Sequence, residues 1–194
     1  MVKQLVAAQN DFFATQKTKD VSFRKQYLKK LQQEIIDQED AICDALYADF
    51  KKPKFESLAT ETQFALSELK HAIKNVESWS EPERVSASWS NFPSKEWIQP
   101  EPYGKVLIIS PWNYPFMLAI SPLIGALAAG NTAILKPSEF STNTSKIISR
   151  IIRKVFPPEY VTVVEGGVEV SQQLLAEKWE YIFFTGSTKV GKIV

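Results

Sequence analysis

One cysteine and one histidine, Cys43 and His71, are all that 194 residues provide of either type. A single cysteine excludes an intramolecular disulfide, and without a Cys/His cluster no zinc or other metal site is expected. Charge of one sign is equally scarce. Twenty-three basic and 22 acidic side chains leave a net charge of +1, so there is no broad positive field to gather nucleic acid or anionic lipid. The segment Met1-Val2-Lys3-Gln4-Leu5 lacks the basic stretch and apolar core of a secretory signal. The longest apolar stretch, Pro115 to Ala129, contains prolines, serine and glycine and falls short of the roughly 20 residues that span a bilayer. It reads as a buried helix, and a membrane anchor beyond Val194 is not excluded. No internal repeat or low-complexity segment is present. These absences favour small-molecule chemistry in a reducing, cytoplasmic setting.

What the chain does contain changes in texture twice. From Lys3 to about Trp79 apolar residues recur at helical spacing: Phe23, Tyr27, Leu31 and Ile35, then Ile42, Leu46 and Phe50 up to a break at Pro53, then Leu66, Leu69, Ile73 and Val76. Each set is an apolar stripe on a solvated cylinder, which predicts several helices packed on something else. Cys43 and His71 lie within this region, where packing roles are expected of both. Val85–Trp89 and Lys95–Gln99 then flank Asn91-Phe92-Pro93-Ser94, predicting a β-hairpin. With Trp89, Phe92 and Trp97, it either adds to another sheet, within the chain or across a subunit interface, or lies on its own core.

After Pro102 strands and helices alternate. Val106–Ile109, Thr132–Leu135, Val161–Val164 and Tyr181–Phe184 are continuous apolar strands, separated by predicted helices over Pro115–Ala129, Thr144–Val155 and Val168–Ala176. That pattern predicts an α/β fold with a parallel sheet, whose ligands lie beyond the carboxyl ends of the strands. Four polar sets follow those ends: Ser110-Pro111-Trp112-Asn113, Lys136-Pro137-Ser138-Glu139, Glu165-Gly166-Gly167, and Gly186 to Gly191. A dinucleotide calls for such an inventory. Lys136 and Glu139 can each bond ribose hydroxyls, Ser187 and free helix N–H groups can bind pyrophosphate, and glycines such as Gly167 let the backbone come close. Asn113 is either a donor to an oxyanion or a turn residue satisfying backbone groups. Gly186 to Lys192 also matches Gly-x-x-x-x-Gly-Lys, but Ile193 stands where a P-loop needs Ser or Thr for magnesium. A P-loop-like nucleotide binder is thus an alternative, as is a non-catalytic assembly module built on the hairpin.

Taken together, Pro111-Trp112-Asn113-Tyr114-Pro115, Pro122 to Asn131, Leu135-Lys136-Pro137-Ser138-Glu139 and Phe183 to Gly191 resemble the aldehyde dehydrogenase superfamily, most closely its class 3 (fatty and aromatic aldehyde) branch. The resemblance runs through the whole chain. It implies N-terminal helices over residues 1–80, a β-hairpin oligomerisation arm over 81–100, and a Rossmann-like dinucleotide-binding domain over 101–194. The implied reaction is NAD(P)-dependent oxidation of an aldehyde to a carboxylic acid by a homodimeric enzyme. In that family a cysteine thiolate attacks the aldehyde, an asparagine matching Asn113 holds the oxyanion, and a glutamate activates water. Lys136 and Glu139 match the ribose contacts; Gly186, Ser187 and Gly191 match the phosphate turn. Val190 would pack on the adenine side, and Ile109, Ser110, Pro111 and Trp112 would line the cleft. Glu139 beside the ribose repels a 2′-phosphate, which favours NAD, with NADP possible. The family's nucleophile and general base lie downstream of the phosphate turn, and only ten residues follow Phe184. The chain is therefore expected to be the N-terminal part of a longer enzyme and inactive by itself.

Overall fold

The computed structural model describes residues 2–194. Four parallel strands, β3 (Lys105–Ile109), β4 (Thr132–Lys136), β5 (Val161–Val163) and β6 (Tyr181–Phe184), form one sheet in the order β5-β4-β3-β6. The two central strands are buried along their whole length, the reason their sequences run apolar without alternation. Their residues still alternate between faces. Val106 and Ile108 join the larger core, whereas Leu107 and Ile109 join a smaller one behind the sheet.

The larger core is built by α2 (Val21–Asp37), α3 (Glu39–Phe50), α5 (Gln63–Ser80), α6 (Met117–Ala128) and α7 (Thr142–Val155). A short α4 (Lys54–Ser57) and a π-helical turn (Leu58–Thr62) lead into α5. The opposite face is covered by α1 (Val2–Ala14) and α8 (Val168–Leu175), through Val2, Val6 and Leu174. The apolar stripes of α2, α3 and α5 thus all pack on one side of the sheet, while α1 covers the other. Gln9 anchors α1 by donating to the carbonyl of Ala133 at 2.7 Å.

The helices begin and end for local reasons. Asp20 caps α2, its carboxylate accepting from the Ser22 N–H at 2.8 Å. The chain leaves α3 through Lys51 at φ 57 before Pro53. Two later helices are capped from a distance. Asp49 accepts the backbone N–H groups of Asn143 (3.0 Å) and Thr144 (2.8 Å) at the start of α7, and Glu61 does the same for Phe116 and Met117 at α6, both at 3.0 Å. Burial raises the Asp49 carboxyl's pKa, but the hydrogen bonds from Thr144 and Asn143 outweigh it and hold it below the ordinary value.

The hairpin differs from its expected form. Strands β1 (Glu83–Val85) and β2 (Glu96–Ile98) pair antiparallel with Val85 opposite Glu96, so only Val85 of the expected Val85–Trp89 strand is paired. Trp89 lies in a 3₁₀ turn (Trp89–Asn91), and the tight turn expected at Asn91–Ser94 is a ten-residue connection between the strands. The pair forms a sheet of its own. Trp89 is 94% exposed, and Phe92 and Trp97 are exposed as well, which corrects the reading of a hairpin lying on its own core.

Phe12, Phe23, Tyr27, Phe156 and Tyr160 form an aromatic cluster at the bottom of the sheet, with Phe12 and Tyr160 stacked at 5.5 Å. Tyr160 is fully buried and its hydroxyl has no partner among the described residues. An orphaned buried hydroxyl costs about 1–3 kcal/mol. Tyr160→Phe keeps the ring and removes that cost but leaves a small void in its place, so thermal unfolding should show equal or higher stability, by up to about 1 kcal/mol. A clear drop in melting temperature would mean that the hydroxyl is satisfied by water.

Candidate functional site

Register brings the four polar sets to one edge of the sheet. Ile109 pairs with Lys136 on one side and Phe184 on the other, and Leu135 pairs with Val163. The ladder continues past the strands, with Ser110 N–H donating to the Lys136 carbonyl (3.2 Å), Thr185 N–H to Ile109 (3.1 Å) and Val164 N–H to Leu135 (2.9 Å). Ser110, Lys136, Glu165 and Gly186 therefore start their loops side by side, at strand spacings of about 4.8 Å.

At the end of β4, Lys136 is buried and its ammonium meets the Glu139 carboxylate at 2.6 Å. Burial acts to raise the Glu139 pKa; the hydrogen bond from Lys136 and that lysine's charge more than offset it, so Glu139 sits below its ordinary value. The loop is stiff, because the Ser138 carbonyl accepts from the Ser141 and Ser145 hydroxyls at 3.1 and 2.9 Å. Beside it lies a cavity of about 150 Å³, lined by Pro137, Ser138, Glu139, Thr142, Ser145, Glu165 and Gly166.

The glycines divide into those with a steric reason and those without. Gly166 has φ +149, and a Cβ there would meet the Val170 side chain at 2.4 Å; Gly167, the glycine singled out from the sequence, has open space at that position. Gly186 sits on the Phe184 ring, where a Cβ would meet ring carbons at 2.3 Å. Thr188–Gly191 form a short helical turn, α9, capped by the Ser187 hydroxyl, which accepts from the Val190 N–H at 3.3 Å. Gly191 is thus part of the helical turn and not of an open phosphate loop of the P-loop type.

Asn113 lies in the bend between β3 and α6, exposed, and its side-chain amide makes no hydrogen bond among the described residues. Its neighbours are held. Trp112 packs against Phe50 at 6.1 Å between ring centroids, and the Lys52 ammonium lies 4.4 Å from the centre of the Tyr114 ring. The register gathers Ile109, Ser110, Lys136 and the Gly186 turn at one edge. Val190 lies on α9, half-exposed.

Cys43 takes no part in this edge. It is buried in α3, and burial, with Glu39 adding, pushes its thiol above the usual range. His71 is exposed on α5, its ring 5.4 Å from that of Trp79. A larger, mainly apolar cavity of about 460 Å³ lies there, lined by residues including Phe64, His71, Trp79 and Ile124. It holds none of the residues of the strand ends. No group of three metal-ligating side chains occurs among the described residues, and no described helix is long and apolar enough to cross a membrane.

The sequence model described as "Aldehyde dehydrogenase family" matches residues 1–194. The chain belongs to the aldehyde dehydrogenase family. Over 183 residues it is 50% identical to the 4,4'-diaponeurosporen-aldehyde dehydrogenase of Staphylococcus aureus, covering 94% of this chain and 40% of that protein. It is 44% identical over 182 residues to aldehyde dehydrogenase family 3 member B3 of Mus musculus, covering 94% and 38%. A solved structure described as the substrate-bound state of Staphylococcus aureus AldH superposes with a TM-score of 0.97 at 48% identity, over 100% of this chain and 42% of that one. The chain thus spans about two fifths of the length of these aldehyde dehydrogenases.

Proposed function

We propose that this chain supplies the adenosine and pyrophosphate half of the cofactor site, and the oxyanion donor, of an NAD(P)-dependent aldehyde dehydrogenase that converts aldehydes to carboxylic acids. The observation that carries this reading is the alignment of Asn113, the Lys136–Glu139 pair and the Gly186 turn on one edge of a parallel sheet. The residues suit a dinucleotide. Lys136 and Glu139 would bond the ribose hydroxyls and the N–H groups at the start of α9 would receive the pyrophosphate, with Gly186 keeping the backbone within reach. NAD is favoured over NADP, because an ionised Glu139 opposes a 2′-phosphate. Gly167 has no steric need to be glycine, so its place in the site rests on nearness alone.

When bound, the nicotinamide would accept hydride from the substrate. Asn113 would donate its amide to the oxyanion that forms as a thiolate adds to the aldehyde carbon. Cys43, buried and with a raised pKa, is no candidate for that thiolate. On this reading the 194-residue polypeptide binds cofactor without oxidising aldehydes, and residues 1–80, 81–100 and 101–194 serve as supporting helices, arm and cofactor domain. The exposed Trp89, Phe92 and Trp97 support a homodimer joined through the arm, and the single cysteine fits a reducing, cytoplasmic setting.

Calorimetric titration of the chain with NAD and with NADP tests the cofactor half. Saturable NAD binding is expected, weaker NADP binding, and loss of at least about tenfold in affinity for a Lys136→Ala, Ser187→Ala variant, from two or more lost polar contacts. A folded chain that binds neither, or a variant that binds as tightly, would overturn it.

A further inference from the structure

The bend that presents Asn113 is gripped from both sides by residues 50–61. On its N-terminal side Trp112 packs on Phe50. On its C-terminal side Tyr114 carries the Lys52 ammonium over its ring at 4.4 Å, and Lys52 is paired at 2.5 Å with the Oε1 of Glu61. The other carboxylate oxygen of Glu61 accepts both the Phe116 and Met117 N–H groups at 3.0 Å. Glu61 is completely buried and Lys52 nearly so.

A carboxylate at the start of α6 satisfies N–H groups that have no partner within the helix and complements the positive end of its dipole. Burying two charges is costly, and an apolar pair of similar volume often stabilises a protein at least as well. Fold stability is therefore a weak reason for this pair. Geometry is a stronger one, because the carboxylate and the cation converge on Tyr114, Phe116 and Met117, all within four residues after Asn113. Glu61 is carried by the π-helical turn Leu58–Thr62, a kind of turn that occurs often at functional sites.

We propose that Glu61 and Lys52 are positioning residues that fix the Asn113 amide for oxyanion binding, with Phe50 as the packing counterpart on the other flank. This rests on the reading of Asn113 as oxyanion donor. A side chain held by a rigid loop pays no reorganisation at the moment of reaction, and a shift of about 1 Å in such a donor costs on the order of 10²-fold in rate.

The test uses the complete dehydrogenase that carries these residues. Glu61→Gln keeps an acceptor for the two α6 N–H groups but turns an NH₂ group toward the Lys52 ammonium. Its kcat is expected to fall at least about tenfold, with KM for NAD within about twofold of wild type. Lys52→Met, Glu61→Gln removes the donor–donor conflict and should recover kcat to within about threefold. Phe50→Leu, on the half-exposed flank, should lower kcat about threefold or more without needing the buried pair, which keeps the test open if Glu61→Gln is insoluble. A folded Glu61→Gln enzyme with kcat within about twofold of wild type, or a loss that the double variant does not recover, overturns the inference. Wild-type enzyme without aldehyde oxidation, or Asn113→Ala as active as wild type, would instead sink the functional reading and this inference with it.

Discussion

Replacing Asn113 with alanine is expected to lower kcat for aldehyde oxidation about 10²–10³-fold in the complete enzyme, the range seen when one oxyanion donor is removed. The effect should appear in kcat, because the amide meets full negative charge only as the tetrahedral species forms. Little else should change. Asn113 is exposed, and the contacts that shape the bend belong to its neighbours, through Phe50, Lys52 and Glu61. The melting temperature should therefore stay within about 2 °C, since an exposed side chain away from caps and cores contributes within about 0.5 kcal/mol. NAD affinity should also hold, because the residues proposed for the ribose and the pyrophosphate lie at the end of β4 and in the turn after β6, on separate loops from Asn113. The measurement is steady-state kcat and KM with a saturating aldehyde beside a direct NAD titration. If kcat is retained within about threefold, Asn113 is a turn residue and the oxyanion is held elsewhere.

Local features were legible in the sequence where burial leaves a one-dimensional mark. β3, β4 and β6 were readable as apolar runs, and the strand ends that carry Asn113, Lys136 and Gly186 follow from them directly. The long-range contacts were not. Nothing in the sequence singled out Arg24 or Glu61, because each is held in part by backbone groups far along the chain. Glu61 meets the Phe116 N–H across 55 residues and Arg24 the Ala128 carbonyl across 104, and nothing in local spacing encodes either. The hairpin failed for a different reason. Alternation in Val85–Trp89 looked like a strand, yet Ser86–Ser88 find no strand partner once Val85 has paired with Glu96. The steric demand at Gly166 rather than Gly167 depends on where the Val170 side chain falls, a property of the folded turn.

Arg24→Met is expected to destabilise the protein by about 3–5 kcal/mol, the largest loss of stability from any single change considered for this fold. The guanidinium is buried and donates to four acceptors: the carbonyls of Thr18 (2.5 Å), Lys19 (2.9 Å) and Ala128 (3.1 Å) and the Ser80 hydroxyl (3.0 Å). These lie on the turn before α2, the end of α5 and the end of α6, so one planar fork joins three segments that sequence keeps far apart. Its charge also sits at the C-terminal end of α6, where the helix dipole favours a cation. Methionine fills similar space but donates nothing, which leaves buried carbonyls unpaired, the costly half of the hydrogen-bond balance. Lysine should recover only part of the loss, because a single ammonium cannot reproduce the fork. Gly130 closes the same junction from the other side. Its φ is +89, and a Cβ there would meet the Thr18 carbonyl at 2.8 Å and the Arg24 guanidinium at 2.9 Å. For a chain of this length the Arg24→Met loss corresponds to a fall in melting temperature of roughly 10 °C. Thermal unfolding of wild type, Arg24→Met and Arg24→Lys would read it. Equal stability of all three would mean that the carbonyls are satisfied by water and that the junction is held by packing alone; a graded loss places the fork at the joint between the N-terminal helices and the end of α6.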